Sequence, residues 1–260
     1  MKEIPVTFTS HGKKIKGILH TPDKKTTKAV ILAHGFTGNI NGPDNVYVNL
    51  ANQLAEEGFA ALRFNFRFTN PDTWKGFEKM TIKGEVEDLK NAIGYLSTKF
   101  EKIGVVGESM GGAVAVLSYN QKVKCMVLWY PAIFLLETPS FREWKKRKNE
   151  IEKQGYLVIE KIKIGKLREI RIGKEFFKER ETLKVINFVK KIRAPLLIVT
   201  GDNDNDVSHN QSELAFKLAK NPKKLELIHG ADHCFRGEKR EEWQNRAIEL
   251  TVNWFNEWLK

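Results

Sequence analysis

The chain has 260 residues, of which 41% are hydrophobic and 29% are charged, so it can bury a substantial core as one α/β domain with an insertion. Its formal net charge of +12 would suit a nucleic-acid partner, but no DNA- or RNA-binding motif accompanies the charge, so we exclude that function. Lysine and glutamate are abundant and interspersed. This composition is typical of thermophile surfaces and favours a thermophilic source.

The composition also argues against membrane-spanning and disulfide-bonded classes. The longest apolar stretch, Cys125–Leu136, is too short to span a bilayer, and the N-terminus has no long apolar run. Two cysteines cannot build a disulfide framework, and no C-x-x-C pair suggests a metal site. We expect a cytoplasmic protein with no metal and no cofactor, in which Cys125 and Cys234 are free thiols. A homodimer is left open.

Buried strands alternate with amphipathic helices along the chain. The strands are predicted at 4–10, 14–21, 28–33, 59–66, 102–107, 123–130, 195–200 and 224–229. The helices are predicted from near 44 to 57, at 81–99, after 109, at 208–220 and at 240–258. This alternation predicts a mostly parallel eight-stranded sheet covered by helices on both faces.

The alternation is interrupted between the sixth and seventh predicted strands. We interpret residues 131–184 as a lid within the same domain, whose core is 1–130 and 185–260. Phe134, Leu135 and Leu136 directly follow a strand end and are predicted to bind the acyl or aryl part of a substrate. Alternating residues around Gly165 predict a two-stranded flap. The segment carries fifteen Lys or Arg against nine Glu, which fits a solvated surface or an anionic partner.

A serine bracketed by glycines lies between a predicted strand and a predicted helix. The motif is G-E-S-M-G at 107–111, with Ser109 at its centre. Strand, tight turn and helix form the context of a G-x-S-x-G nucleophile elbow. A Cβ atom at position 107 or 111 would collide with neighbouring chain, so both glycines are needed. The pattern predicts a nucleophilic serine exposed above the sheet.

A serine hydroxyl is a weak nucleophile, so it needs a histidine base and a carboxylate that orients the base. His233 lies past a turn glycine on a loop that can reach Ser109, whereas His229 closes a strand and is expected to be structural. Among the acids, Asp204 lies at the tip of its loop. Asp202, tight against the preceding strand, is the second candidate.

The tetrahedral intermediate of acyl transfer needs two N–H donors aimed at its oxyanion. The backbone N–H of Met110 opens the elbow helix and is one predicted donor. The second is the N–H of Phe36, which the turn at His34 and Gly35 directs toward the site. We expect His34 and Gly35 to border the substrate as well.

With these residues assembled, the chain resembles the α/β-hydrolase superfamily of serine esterases over nearly its full length. More narrowly, it is similar to the cinnamoyl and feruloyl esterases and related small carboxylesterases. The segments that carry this resemblance are 33–39, 76–81, 85–88 and 230–235. The acid loop of that family, Gly-x-x-Asp-x-x-Val, falls on Gly201, Asp204 and Val207, which favours Asp204 over Asp202.

The resemblance implies a serine carboxylic-ester hydrolase that acts through an acyl-enzyme on small to medium acyl or aryl esters. The chain departs from the feruloyl enzymes at Met110, where they usually carry glutamine, and its insert matches theirs only in position and approximate length. A feruloyl or cinnamoyl esterase is therefore an alternative. An oligopeptidase-like serine peptidase is another, although a chain of this length has no room for the propeller domain that those proteins usually add.

Two alternatives come from other functional classes. Asp202, Asp204, Asp206 and Glu213 fall at positions 1, 3, 5 and 12 of a calcium-binding EF-hand loop. Position 6 must be glycine for the sharp turn, but it is Val207, and a strand precedes the loop where a helix is required. A catalytically inactive scaffold is disfavoured because every expected catalytic residue is present.

Overall fold

Eight strands of the chain form one sheet, and two further strands pair separately. The computed structural model describes residues 1–69, 73–163 and 166–260. The strands within these ranges are β1 (Lys2–Ser10), β2 (Lys13–Thr21), β3 (Lys28–Ala33), β4 (Ala60–Phe64), β5 (Lys102–Glu108), β6 (Val123–Trp129), β7 (Tyr156–Lys163), β8 (Lys166–Gly173), β9 (Leu196–Gly201) and β10 (Lys223–Ile228). The large sheet has the order β1-β2-β4-β3-β5-β6-β9-β10.

Pairing within the large sheet is mostly parallel. Strand β2 runs antiparallel to β1 and β4, and the remaining neighbours run parallel. Every residue of β4 and β9 is buried, as expected for parallel strands covered on both faces. The predicted mostly parallel eight-stranded sheet is confirmed.

Helices cover both faces of this sheet. The helices are α1 (Val46–Glu56), α2 (Ile82–Ser97), α3 (Ser109–Ser118), α4 (Pro139–Lys146), α5 (Lys148–Gln154), α6 (Lys174–Thr182), α7 (Ile186–Val189), α8 (His209–Leu218) and α9 (Arg240–Trp258). Single 3-10 turns lie at Pro43–Asn45, Phe77–Lys79 and Leu135–Glu137. The helix predicted from near 44 begins at Val46, because Asp44 and Asn45 have positive φ angles of 49° and 62°.

Successive side chains of a central strand enter two different apolar clusters. In β3, Ile31 packs in the cluster that includes Leu89 of α2, whereas Val30 packs in the cluster that includes Leu50 of α1 and Phe255 of α9. This alternation follows from the two-residue period of a strand. The core therefore lies on both sides of the sheet, under separate sets of helices.

Residues 131–184 leave the large sheet after β6. Here β7 and β8 form an antiparallel pair between α5 and α6; the predicted turn at Gly165 lies outside the described residues. Trp144 of α4 stacks on Phe177 of α6 at 5.4 Å, and both belong to the same apolar cluster as the α2 side of the core. The segment thus packs continuously with the rest of the domain. No helix in the described ranges has both the length and the apolar character needed to cross a bilayer.

Candidate active site

The turn between β5 and α3 is a sharp elbow with Ser109 at its apex. Ser109 has a φ of 51°, a left-handed conformation that non-glycine residues rarely adopt. A Cβ on Gly107 would lie 2.5 Å from the carbonyl oxygen of Gly111. A Cβ on Gly111 would lie 2.3 Å from the carbonyl oxygen of Ala33. Both contacts are too short, so only glycine fits at either position.

Three side chains from separate loops form a hydrogen-bonded chain at this elbow. The Ser109 hydroxyl lies 3.1 Å from Nε2 of His233, and Nδ1 of His233 lies 2.7 Å from Oδ2 of Asp204. The Asp204 carboxylate is buried, and its Oδ1 accepts the backbone N–H groups of Asp206 and Val207 at 2.9 and 2.8 Å. The carboxylate is therefore fixed by its own loop while it contacts the imidazole.

The environment of His233 determines its protonation. Burial alone would lower the pKa of His233, but the hydrogen bond to Asp204 and the neighbouring Cys234 raise it to about 10. The ring of Tyr130 meets the imidazole edge-to-face at 4.9 Å between centroids. The imidazole is thus held between an aromatic ring and a carboxylate, which together fix its orientation.

The second acid candidate serves a different histidine. Asp202 Oδ2 lies 2.8 Å from Nδ1 of His229, and Asp202 Oδ1 accepts the backbone N–H of Gly230 at 2.7 Å. These hydrogen bonds lower the pKa of Asp202. His229 is largely exposed, with 89% of its side chain accessible, and its Nδ1 contacts Asp202. Asp202 is therefore engaged away from the elbow.

The calcium interpretation finds no support in this geometry. Strand β9 precedes the acidic loop where an EF-hand requires a helix, and Asp202 and Asp204 bond to different histidines. Within the described residues, no cluster of three or more His, Cys, Asp or Glu side chains is arranged to hold a metal ion.

The loop after β3 lies directly against the elbow. A Cβ on Gly35 would lie 3.1 Å from Cβ of Ser109, so a larger residue would push the loop away. Phe36 and Met110 both border the cavity in front of Ser109. Met110 is the second residue of α3, where backbone N–H groups have no acceptor within the helix. The assignment of Phe36 and Met110 as oxyanion donors stays a prediction.

His34 is not among the residues that line the cavity, contrary to the expectation that it borders the substrate. Its side chain is completely buried. Nε2 accepts the backbone N–H of Phe66 at 3.3 Å, and Nδ1 lies 2.9 Å from the carbonyl oxygen of Gly35. These contacts join the loop after β3 to the loop after β4. His34 therefore supports the backbone beneath the site.

Glu108 is a buried carboxylate that the sequence analysis did not single out. Its Oε1 accepts the backbone N–H of Gly35 at 3.0 Å, and its Oε2 accepts the hydroxyl of Tyr130 at 2.7 Å. Burial raises the pKa of Tyr130 well above its ordinary value. A carboxylate at the end of an apolar strand requires such partners. A glutamate that ends an otherwise apolar strand is therefore the sequence signal that could have identified Glu108 as a buried, hydrogen-bonded carboxylate.

A cavity of about 550 Å³ opens in front of Ser109 and His233. Leu135, Phe176 and Arg180 form part of its wall and come from residues 131–184.

Only one of the three predicted insertion residues, Leu135, borders this cavity. Leu136 is 38% exposed and faces the surface, whereas Phe134 packs against the apolar core and donates its backbone N–H to Gln211 Oε1 at 2.8 Å. A 3-10 turn at Leu135–Glu137 points successive side chains in different directions. Leu135 therefore stays a predicted substrate contact, whereas Phe134 and Leu136 lie outside the cavity wall.

Comparison with known proteins places this chain in a family. The BD-FAE family model matches residues 18–218. The α/β hydrolase GrgF from Penicillium sp. sh18 superposes with a TM-score of 0.82 at 16% identity, covering 100% of this chain and 99% of that one. Est1E from Butyrivibrio proteoclasticus, in a structure with bound ferulic acid, gives 0.74 at 22% identity, covering 96% and 99%.

The esterase domain of a Rhodothermus marinus protein is similar over 100% of both chains, with a TM-score of 0.70 at 21% identity. Identities this low establish the fold of the chain. The match to the family model extends over most of the sequence and establishes the family. The chain therefore has the α/β-hydrolase fold and belongs to the BD-FAE family.

Proposed function

We propose that this protein is a serine carboxylic-ester hydrolase in which Ser109 is transiently acylated. Hydrolase activity is supported by the family match and by esterases among the structural neighbours. The observation that supports a serine nucleophile is the chain of two hydrogen bonds from Ser109 through His233 to Asp204. A buried carboxylate, an oriented imidazole and an exposed serine hydroxyl are the parts that nucleophilic acyl transfer requires.

Acylation begins at the Ser109 hydroxyl. Oγ attacks the carbonyl carbon of the ester while its proton moves to Nε2 of His233. Asp204 holds the Nδ1 proton and stabilises the imidazolium. The carbonyl oxygen becomes an oxyanion, which the N–H groups of Phe36 and Met110 stabilise. The C–O bond to the alcohol then breaks, and the alcohol leaves with the proton from Nε2.

Deacylation repeats these steps with water. His233, neutral again, removes a proton from a water molecule that attacks the acyl carbon. The second tetrahedral intermediate uses the same two N–H donors. Its collapse releases the carboxylic acid and returns the proton to Ser109. Each residue thus acts in both half-reactions.

The cavity wall favours an ester with an apolar acyl or aryl part. Phe36 and Phe176 stack at 5.2 Å between centroids with 10° between their planes, and Leu135 borders the same space. Aromatic rings in the wall make a feruloyl or cinnamoyl ester the second candidate. We assign residues 131–184 the role of a lid that desolvates this part of the substrate.

The proposal is tested by measuring hydrolysis of 4-nitrophenyl esters from acetate to laurate, beside methyl ferulate. Wild-type protein should hydrolyse at least part of the series, and the profile identifies the preferred acyl group. Ser109→Ala should keep its circular dichroism spectrum and melting temperature, because the side chain packs little. It should lose more than about a thousandfold in kcat, since loss of a triad member typically costs more than that. A folded Ser109→Ala variant with substantial activity would refute the proposal.

A further inference from the structure

The wall of the catalytic cavity contains a buried cation. Arg180 of α6 is only 3% exposed and borders the same cavity as Ser109. Among the described residues, no carboxylate forms an ion pair with it. A buried charge is costly to a fold unless it is paired. This arginine therefore calls for an explanation.

The guanidinium of Arg180 is held by neutral oxygens. Nε donates to the carbonyl oxygen of Leu135 at 3.0 Å, and Nη2 donates to the same oxygen and to Oγ1 of Thr138. Nη1 donates to Oγ of Ser140 at 3.0 Å. A guanidinium has five N–H groups, so these contacts leave one N–H of Nη1 without a partner in the part of the chain that is described. The contacts fix the side chain but do not neutralise it.

Other poorly exposed arginines of this chain do have carboxylate partners. Nη2 of Arg67 lies 2.6 Å from Oδ1 of Asp88, and Nη2 of Arg63 lies 3.4 Å from Oε1 of Glu3. Burial lowers the pKa of Arg180 to about 9, so its guanidinium is still charged at neutral pH. Of these three arginines, only Arg180 borders the cavity, and only Arg180 lacks a carboxylate partner among the described residues.

The guanidinium borders the same cavity as the Ser109 hydroxyl. Its Cζ lies 5.1 Å from the ring centroid of Phe176 and 5.2 Å from that of Phe141, and the Phe176 ring stacks on Phe36 at 5.2 Å between centroids. Phe36 belongs to the loop that packs against Ser109. Ser109 and Arg180 thus line one cavity of about 550 Å³, which is large enough for one small-molecule ligand.

Acidic residues at the cavity do not neutralise the arginine. Glu143 and Asp206 also border the cavity, and Glu143 contacts Lys146 at 4.0 Å. Glu108 is bonded to Gly35 and Tyr130. The counter-ion is thus left to the ligand.

We propose that Arg180 is an anion-binding subsite and that the natural substrate is an ester whose acyl or alcohol part carries a carboxylate. A carboxylate in the cavity would accept the remaining N–H of Nη1 and neutralise the buried charge. This inference rests on the proposed function, because it names the substrate class of the same site. It adds a specificity that a purely apolar acyl pocket would not have.

A matched pair of variants at Ser140 tests the subsite without removing the arginine. Ser140→Asp places a carboxylate beside Nη1, so the protein supplies its own counter-ion. Ser140→Asn has a similar shape and no charge. Position 140 lies in the first turn of α4, where an aspartate is favourable, so both variants should fold. The contacts of Arg180 to Leu135 and Thr138 are retained in each.

Activity is compared on esters that differ only in a terminal carboxylate. One set contains 4-nitrophenyl monoesters of adipate, pimelate and suberate against hexanoate, heptanoate and octanoate. Another contains 3-carboxyphenyl acetate against phenyl acetate, which probes the alcohol side. In at least one pair, the wild-type protein and Ser140→Asn should favour the carboxylated ester in kcat/KM by about tenfold, typical of a charge-assisted hydrogen bond. Ser140→Asp should lose this preference.

Binding provides a measurement that does not depend on catalysis. Calorimetry should give a lower Kd for the dianions of adipate, pimelate and suberate than for the monoanions of matching length in wild-type protein, and equal values in Ser140→Asp. Wild-type protein that hydrolyses neutral esters through Ser109 but shows no preference in any pair would overturn the subsite alone. Protein that hydrolyses no ester would overturn the proposed function, and the Kd ratios would then decide the subsite. If Ser140→Asp fails to fold, wild-type protein without a preference still overturns the subsite. Arg236→Gln removes the other arginine among the described residues that borders the cavity and should keep the wild-type preference, so loss of the preference in this variant would also overturn it.

Discussion

Oε1 of Glu108 accepts a hydrogen bond from the backbone N–H of Gly35 at 3.0 Å. The bond joins the residue before Ser109 to the residue before Phe36, so it fixes the distance between the nucleophile and the loop that supplies the proposed oxyanion donor. Oε2 of the same carboxylate accepts the Tyr130 hydroxyl, and the Tyr130 ring contacts His233. Glu108 thus connects both sides of the site without contacting the proton that moves.

Glu108 should act as a positioning residue. Glu108→Ala removes the acceptor for Gly35 and should lower kcat by about 10-fold to 100-fold with little change in KM, less than the loss of an oxyanion donor itself. Glu108→Gln keeps an oxygen acceptor and should restore most of kcat. Tyr130→Phe removes only the other hydrogen bond and serves as the matched control. A glutamine variant as slow as the alanine variant would argue against positioning through Gly35.

The two aspartates near the site should differ sharply in their effect on activity. Asp204→Asn removes the charge that orients His233 and should lower kcat by about 10³-fold to 10⁴-fold. Asp202→Asn alters the contact to His229 and should lower kcat less than about threefold, because this pair lies away from Ser109. Steady-state kinetics on one ester decides between them. The reverse ranking would move the acid role to Asp202.

The rate should rise with pH over an unusually alkaline range. His233 acts as a base only when neutral, and although burial lowers its pKa, Asp204 and Cys234 together raise it to about 10. In wild-type protein kcat/KM should therefore increase from about pH 6 toward about pH 10, after correction for spontaneous hydrolysis. Asp204→Asn removes one of the two causes of the raised pKa, so its residual activity should level off at a lower pH. A wild-type plateau already reached at neutral pH would contradict this assignment.

The strands and the elbow were predictable because their signals are local. The apolar run before Ser109 and the glycines at 107 and 111 form one short sequence pattern that is typical of the elbow. The structure explains the glycines by close approach of Gly107 to the backbone of Gly111 and of Gly111 to the backbone of Ala33. The partner of Glu108 lies 73 residues away along the chain. No local pattern could have identified that contact.

Residues 131–184 were harder to predict because their side-chain directions depend on tertiary packing. Leu135 and Leu136 are chemically identical neighbours, yet one borders the cavity and the other is exposed. Arg180 did carry a signal: it lies three and four residues after Phe177 and Phe176, on the apolar face of α6. A cation on an apolar helix face indicates a buried charge. The sequence analysis considered only the net charge of residues 131–184 and therefore did not distinguish Arg180 from the exposed lysines and arginines.

These neighbouring leucines give a matched test of the role of the insertion. Leu135→Ala should lower kcat/KM for long acyl or aromatic esters by about tenfold, while acetate esters change by less than about twofold, because the side chain borders the cavity. Leu136→Ala changes an exposed side chain and should leave the profile as in wild type. If Leu135→Ala lowered kcat/KM equally for all esters, the insertion would not select substrate. An effect of the same size in Leu136→Ala would lead to the same conclusion.

The central claim is that Ser109 becomes covalently acylated, and reaction with a fluorophosphonate tests it most directly. Peptide mass spectrometry of the inactivated wild-type protein should find one phosphonyl group, on the peptide that contains Ser109. Ser109→Ala should take up none at the site, and His233→Ala should react far more slowly, because the hydroxyl lacks its base. An adduct on a different residue with parallel loss of esterase activity, or wild-type protein that hydrolyses esters yet never forms the Ser109 adduct, would contradict the mechanism.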